Sequence, residues 1–336
     1  MGAITIKMNL IKRIVKSAAG ISFEKLLTAV PYFNDLRLIF MYHRIVEKPP
    51  IGLHDPALFV TSETLEMHLR EISKYFNIVS LDNIVAPDAE KKRLCAITFD
   101  DGWVDNYDFA FAVLKKYRVP ATIFIPVNMV ASNPTFWFQN LWDLASRITN
   151  NGKSTDFIQY FSGHVPSWGR PGIGFEQIYD LTNELKRLPA SKLDTIVLQA
   201  YERLGIKLPI TRYIMNWDQI HEMSQHGITF GSHGLHHYIL TQLNYDTKHE
   251  EVVNSFGALQ NAKIAMTPFF SYPNGNWDDE TLSLVKQAGY QGAVTTELGF
   301  NMPSTNPYLL KRIAIHEDIS HTSSLLWFRI FQAVIS

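Results

Sequence analysis

Two short segments of this chain carry residue types that can do chemistry together. The first, Leu94-Cys95-Ala96-Ile97-Thr98-Phe99-Asp100-Asp101-Gly102, is an apolar run that stops at two carboxylates and a glycine. The second, Gly231-Ser232-His233-Gly234-Leu235-His236-His237, carries His233 and His237 four residues apart. One aspartate with two histidines makes a three-ligand set for a divalent metal and leaves a position open for water. The other aspartate is then free to act as a base. On one helical turn His233 and His237 would share a side, with His236 pointing elsewhere. Alone, Asp-Asp-Gly is a common turn and the histidine segment a polar loop. Together they favour a metal-dependent hydrolase, because charges that end an apolar strand need paired or hydrated surroundings.

Bringing these segments together is a task for the elements around them. Leu36 to Ile45 reads as a strand ending in Tyr42-His43-Arg44, followed by a helix capped by Thr61 or Ser62. Strands are expected over Phe76–Leu81, Leu94–Phe99 and Ala121–Val127, with a helix around Ala110–Tyr117. Further on come helices at Trp217–Gln225, Asp246–Asn261 and Asp279–Gly289. Between and after them lie strands at Ile228–Ser232 and Pro268–Tyr272 and near Ala293 and Ile313. About seven β/α units imply parallel pairing through right-handed crossovers and a barrel with its site at the strand C-termini. Asp100-Asp101, His233, Pro273-Asn274-Gly275 and His316 each follow a strand, so one rim can gather all four.

The alternation breaks between residues 128 and 210. No strand pattern is visible there, but Phe136, Trp137, Phe138, Trp142, Phe157, Tyr160, Phe161 and Trp168 are. So long a structureless stretch is improbable in a compact domain, and a mostly helical insertion is expected. Its aromatics could form its own core or a platform for sugar rings.

Composition sets the outer limits. The 336 residues suffice for one large α/β domain with decorations, and the 46% hydrophobic share is that of a globular protein with a sizeable core. Lys and Arg number 31 against 32 Asp and Glu, so no net charge steers the chain to nucleic acid. The single cysteine, Cys95, lies in an apolar run and has no intrachain partner, which points to a cytoplasmic protein. Leu10, Ile11, Ile14, Val15 and Ala18 recur at helical spacing among Lys7, Lys12, Arg13 and Lys16, a pattern unlike a signal peptide. An amphipathic helix over about residues 9–30 would either pack on the domain or lie on the inner membrane face. The tail from Ser323 to Ile335 invites the same two readings.

Three motifs in order resemble one family. Thr98-Phe99-Asp100-Asp101-Gly102, His233-x-x-x-His237 followed by Leu240-Thr241, and Phe270-Ser271-Tyr272-Pro273-Asn274-Gly275 are similar to those of polysaccharide deacetylases. These form the NodB-homology group, carbohydrate esterase family 4. Met41-Tyr42-His43-Arg44 and Ala293-Val294-Thr295-Thr296 also look like members from bacterial surface-polysaccharide pathways. The likeness runs from Arg37 to Asp318 around the insertion. It implies a deformed (β/α)7-type barrel over residues 36–320, with a helical segment at 1–35 and a helical tail at 321–336.

The implied activity is removal of N-acetyl groups from an acetamido sugar by a metal-dependent hydrolase, with water on the metal as nucleophile. By the resemblance, Asp101, His233 and His237 hold the metal, usually Zn2+, with Co2+, Ni2+ or Mn2+ also suited to such a donor set. Asp100 is the general base, and the backbone N–H of Asn274, beside Tyr272 and Pro273, serves the oxyanion. His316, from the last strand, is the candidate acid. Ser271 and Asn274 stand where many members have arginine and tyrosine, and Arg312 is the candidate to orient the base instead. His43 and Trp103 are further rim candidates for substrate contact. The rival readings are a hydrolase of a small linear or cyclic amide and a glycan-binding protein on the same fold. The sequence does not address oligomeric state.

Overall fold

The computed structural model describes residues 18, 20–25, 35–85, 93–132, 135–149 and 151–336. Seven parallel strands build a closed barrel: β1 (Arg37–Tyr42), β2 (Leu94–Phe99), β3 (Ala121–Ile125), β4 (Ile228–Ser232), β5 (Met266–Ser271), β6 (Gly292–Leu298) and β7 (Leu310–Ala314). Each pairs with its neighbours in sequence, and β1 closes the ring by pairing with both β2 and β7. Phe40 and Met41 pair on both sides of the seam, with Ile97 and Thr98 on one and Ile313 and Ala314 on the other. The ring has the seven-strand form that the resemblance implies.

Side chains alternate across the strands, as a pleated backbone requires. Leu38, Phe40, Tyr42, Cys95, Ile97 and Phe99 pack outward under the helices, while Ile39, Ala96, Phe124, Phe269, Val294 and Leu310 cluster within the ring. Thr98, Ser271 and Arg312 are also buried and hydrogen-bond to one another or to Asp100. Gly231 on β4 makes this interior possible. A Cβ there would stand 2.6 Å from the Phe124 ring, so no larger residue leaves room for that side chain.

Two strands are shorter than the sequence pattern suggests. The first stops at His43 because Asn106 donates to the His43 carbonyl at 2.7 Å and the Ile45 N–H donates to Asp105 at 3.0 Å. Arg44–Val46 then pairs with Phe59–Thr61 in a separate small sheet. The strand expected over Phe76–Leu81 shrinks to Asn77–Ile78, since Ser80 precedes the short helix Leu81–Ile84. Helix α1 (Ser62–Ile72) follows its predicted cap, with Thr61 accepting from the Thr64 N–H at 3.2 Å.

The insertion is helical: α2 (Trp137–Ile148), α3 (Ser154–His164), α4 (Phe175–Leu185) and α5 (Ala190–Leu204) enclose a core of their own. Its aromatics divide. Phe157, Tyr160, Phe161 and Trp168 lie in that core alone, Trp137 and Trp142 belong to it and also line the cavity above the barrel, and Phe136 and Phe138 line the cavity from outside it.

The helix expected over 246–261 is interrupted by a π-helical turn at Glu250–Asn254, a feature often found beside functional sites. Of the N-terminal amphipathic helix, only residues 18 and 20–25 fall within the described residues. There Phe23 is buried 5.4 Å from the Phe331 ring of the C-terminal helix α6 (Ser323–Ile335). Helix α6 itself buries Leu325, Leu326, Trp327 and Ile330, so the tail packs on the domain. No described helix is long and apolar enough to cross a membrane.

Candidate active site

The C-terminal ends of the strands open into a cavity of about 390 Å³, walled on one side by the barrel rim and on the other by the insertion. Asp100, Asp101, His233 and His237 lie together in it, and His43 and Asn274 line it as well. One potential ligand atom from each of Asp101, His233 and His237 falls within 4.8 Å of the others.

Backbone conformation aims these groups. Asp101, His237 and Asn274 all have left-handed φ, at 76°, 63° and 58°, which bulky residues adopt only under constraint. The histidine segment is therefore a loop rather than the helical turn its spacing suggests, with Gly234 at φ 78° and His237 at 63° bending the chain. Glu251 pins that loop. Its Oε2 accepts from the Leu235 and His236 N–H groups at 2.8 and 3.0 Å, and its other oxygen pairs with His236 Nδ1. A Cβ on Gly234 would stand 2.9 Å from Glu251 Oε2, so the loop needs glycine twice over, for its φ and for this approach.

Three features of the cluster fit a divalent cation. Asp101 Oδ1 is fully buried with no hydrogen-bond partner, yet it faces His233 Nε2 at 3.4 Å and His237 Nε2 at 3.2 Å. A buried oxygen left bare is costly unless something positive meets it. Asp101 Oδ2, by contrast, is held by Trp103 Nε1 at 2.9 Å. His233 donates from Nδ1 to the Ser271 carbonyl at 2.7 Å, which leaves the Nε2 lone pair pointing at the cluster. A carboxylate oxygen and two imidazole nitrogens, with Asp101 and His233 hydrogen-bonded from behind and His237 packed against Phe136 and Phe138, form the donor set of a metal site with open positions.

Electrostatics separates the two aspartates. Burial alone would raise the Asp100 carboxyl, but the Arg312 guanidinium, aided by His233, outweighs it and holds the group below the usual carboxylate range. Arg312 is wholly buried and grips Asp100 through two bonds, Nη1 to Oδ1 at 2.8 Å and Nη2 to Oδ2 at 2.7 Å. Its Nε donates to the Thr295 carbonyl at 2.8 Å and its Nη2 also to Ser271 Oγ at 3.1 Å, so the fork cannot swing. Asp101 is likewise opposed by burial, yet His237 and His233 push its carboxyl well below the ordinary value.

Several predicted residues sit elsewhere. Trp103 is buried among Phe136, Phe138 and Tyr213 and holds Asp101 rather than lining the cavity. Tyr272 turns into a satellite core with Phe270 and Tyr290 and donates to the Tyr308 carbonyl at 3.2 Å, away from substrate. Pro273 is buried beneath the turn and not on the cavity wall. His316 is not brought to the cavity: β7 ends at Ala314, a short helix starts at Glu317, and the imidazole pairs with Asp318. His43 stands on the wall in its place, near enough for its charge to act on both aspartates.

Sequence reading missed other participants. Glu251 and Lys186 had no motif around them, and Arg44, which pairs with buried Asp105 at 2.7 Å and lies 4.9 Å over the Trp103 ring, stood in the Met41–Arg44 motif but was assigned no role there. The signals for that pair were this motif and Asp105, three residues beyond Gly102.

Known proteins resemble this chain in sequence and in fold. The family model described as polysaccharide deacetylase matches residues 88–156 and 208–293, on either side of the insertion. YxkH of Bacillus subtilis, named for polysaccharide deacetylation, is 26% identical over 287 residues, which cover 84% of this chain and 72% of that protein. The poly-beta-1,6-N-acetyl-D-glucosamine N-deacetylase of Staphylococcus epidermidis is 23% identical over 213 residues, 60% of this chain and 73% of its own. In fold, the chain resembles the Streptococcus pyogenes deacetylase PplD, solved with acetate, at a TM-score of 0.56 and 18% identity over 87% of this chain and 98% of that one. Sequence match and barrel agree: over residues 88–156 and 208–293 the chain carries a polysaccharide deacetylase domain, of a family that hydrolyses amide bonds, on a NodB-like barrel.

Proposed function

We propose that the chain is a metal-dependent N-deacetylase of an N-acetylated hexosamine in a bacterial surface polysaccharide or its precursor. The observation that carries this reading is the bare, buried Asp101 Oδ1 between two imidazole Nε2 atoms, beside a second carboxylate kept ionised by Arg312. The sugar class is supported by the relative named for poly-β-1,6-N-acetylglucosamine and by the aromatic wall of Trp137, Phe138 and Trp142.

Asp101, His233 and His237 are the residues that would hold the ion, with zinc the first choice for one oxygen and two imidazole donors. When bound, such an ion polarises the amide carbonyl and makes water a competent nucleophile near neutral pH. Asp100 takes the proton of the attacking water, its carboxylate aimed by Arg312. The negative charge that develops on the acetyl oxygen is met by the Asn274 N–H on the left-handed turn. As the carbon–nitrogen bond breaks, the amine nitrogen needs a proton; of the two cavity histidines outside the ligand set, His236 is engaged by Glu251 and His43 is the one left to give it. The products are acetate and a free amino sugar.

Acetate release from N-acetylglucosamine oligomers, compared between the parent, Asp100→Asn and His43→Gln, tests this assignment. Loss of roughly a hundredfold or more in both variants is expected. Full activity in His43→Gln would return the acid role to another group.

A further inference from the structure

Lys186 is the one Lys or Arg side chain among the described residues that line the cavity. It enters from the insertion, just past the end of α4, yet it is tied to the barrel rim at both ends. Its Nζ donates to Asn274 Oδ1 at 2.9 Å, and its carbonyl accepts from Gln242 Nε2 at 2.9 Å. The acceptor is a neutral amide, so the ammonium charge is not cancelled there. That charge acts on His237 and is itself felt from Asp55 and Asp101, which sets it on the metal side of the cavity. Lys186 is half-buried, and burial pulls its pKa down.

Asn274 is the residue on which these contacts converge. Its φ of 58° and ψ of 5° turn the backbone sharply, and its Nδ2 donates to Asn276 Oδ1 at 2.6 Å. The side-chain amide is thus used at both ends, by Lys186 on its oxygen and by Asn276 on its nitrogen. Both contacts hold the side chain of the residue whose N–H is assigned to the oxyanion.

We infer that Lys186 is a positioning residue for the amide-cleaving step, through which the insertion holds the Asn274 turn against the oxyanion. This rests on the deacetylase reading for the identity of the reaction. It makes the insertion part of the catalytic geometry rather than a decoration, because the latch crosses from α4 to the loop after β5.

A double-mutant cycle tests it, with Lys186→Met and Asn274→Gly; glycine keeps the backbone N–H and accepts the left-handed φ while removing the side-chain acceptor. Two readouts are taken on zinc-loaded protein: kcat and KM on an N-acetylglucosamine oligomer, and the affinity for acetate. Each single variant is expected to lower kcat by at least about tenfold, with KM within about twofold, and to weaken acetate by roughly tenfold. The double variant should fall no further than the worse single one. Multiplying effects, a raised KM with unchanged kcat, or unchanged acetate affinity in Lys186→Met would overturn the inference. Melting temperature and zinc content, measured alongside, are expected to match the parent, and a Lys186→Met variant that loses zinc would also overturn it. A parent that releases no acetate from any glycan would contradict the deacetylase reading alone, since acetate affinity still reports on Lys186.

Discussion

Arg312 and Asp100 show how a buried pair can serve chemistry rather than stability. Two parallel N–H bonds of 2.8 and 2.7 Å keep the carboxylate charged and in one orientation, and Thr295 and Ser271 fix the guanidinium in turn. Replacing Arg312 with Met removes the main charge that opposes burial, leaving only His233 and His43 against it, and burial raises a carboxyl. The acid limb of the kcat/KM profile should therefore move to higher pH in Arg312→Met, with activity near neutrality down by roughly a hundredfold. An unshifted limb would show that Asp100 is not the titrating base. Trp103→Phe is a subtler change, since it keeps the packing and removes the single donor to Asp101 Oδ2. Zinc titration should give an affinity about tenfold weaker, the usual effect of losing a partner behind a ligand.

At the scale of elements, the strand and helix pattern was visible because burial on both faces leaves unbroken apolar runs such as Leu94–Phe99. The site's finer geometry was not. Spacing of four suggested a helical turn for His233 and His237, whereas left-handed residues make a loop, and φ at His237 leaves no trace in composition. Glu251 holds that loop from a helix that begins well after it, so no local signal exists. His68 is a comparable hidden link. On α1 it bonds to the Tyr42 hydroxyl at 3.1 Å and the Ser320 carbonyl at 2.8 Å, joining helix, strand and C-terminal segment. Burial pushes its pKa down to about 4. Because the unfolded chain binds a proton that folded His68 refuses, this contribution is complete above about pH 6.5 and is lost as pH falls towards about 4. Urea unfolding at about pH 7 and about pH 5 should show a stability loss about 2 kcal/mol larger in the parent than in His68→Gln. Equal losses would mean that His68 titrates normally.

The whole molecule has two principal cores, one around the barrel and one inside the insertion, and the cavity lies where they meet. Phe157 belongs wholly to the second, fully buried against Phe161 at 4.6 Å between ring centroids. Phe157→Ala should cost about 3–5 kcal/mol of insertion stability, read as faster hydrogen exchange over residues 137–204, with zinc binding unchanged. Loss of zinc in that variant would show the two cores to be one cooperative unit. The sequence revealed that an insertion exists and that it is aromatic, because a long stretch without strand pattern must fold somehow. It did not reveal which rings face the cavity, since Trp137 and Phe157 are both aromatic residues of one insertion core and only Trp137 lies at its cavity edge. The most direct test of the metal-dependent site is metal analysis of the parent, Asp101→Ala and His237→Ala after dialysis against zinc, with acetate release followed in the same samples. About one ion per chain in the parent, lost together with activity in both variants, is the predicted result. A parent that takes up no ion, or variants that bind it as the parent does, would contradict the metal site and the mechanism built on it.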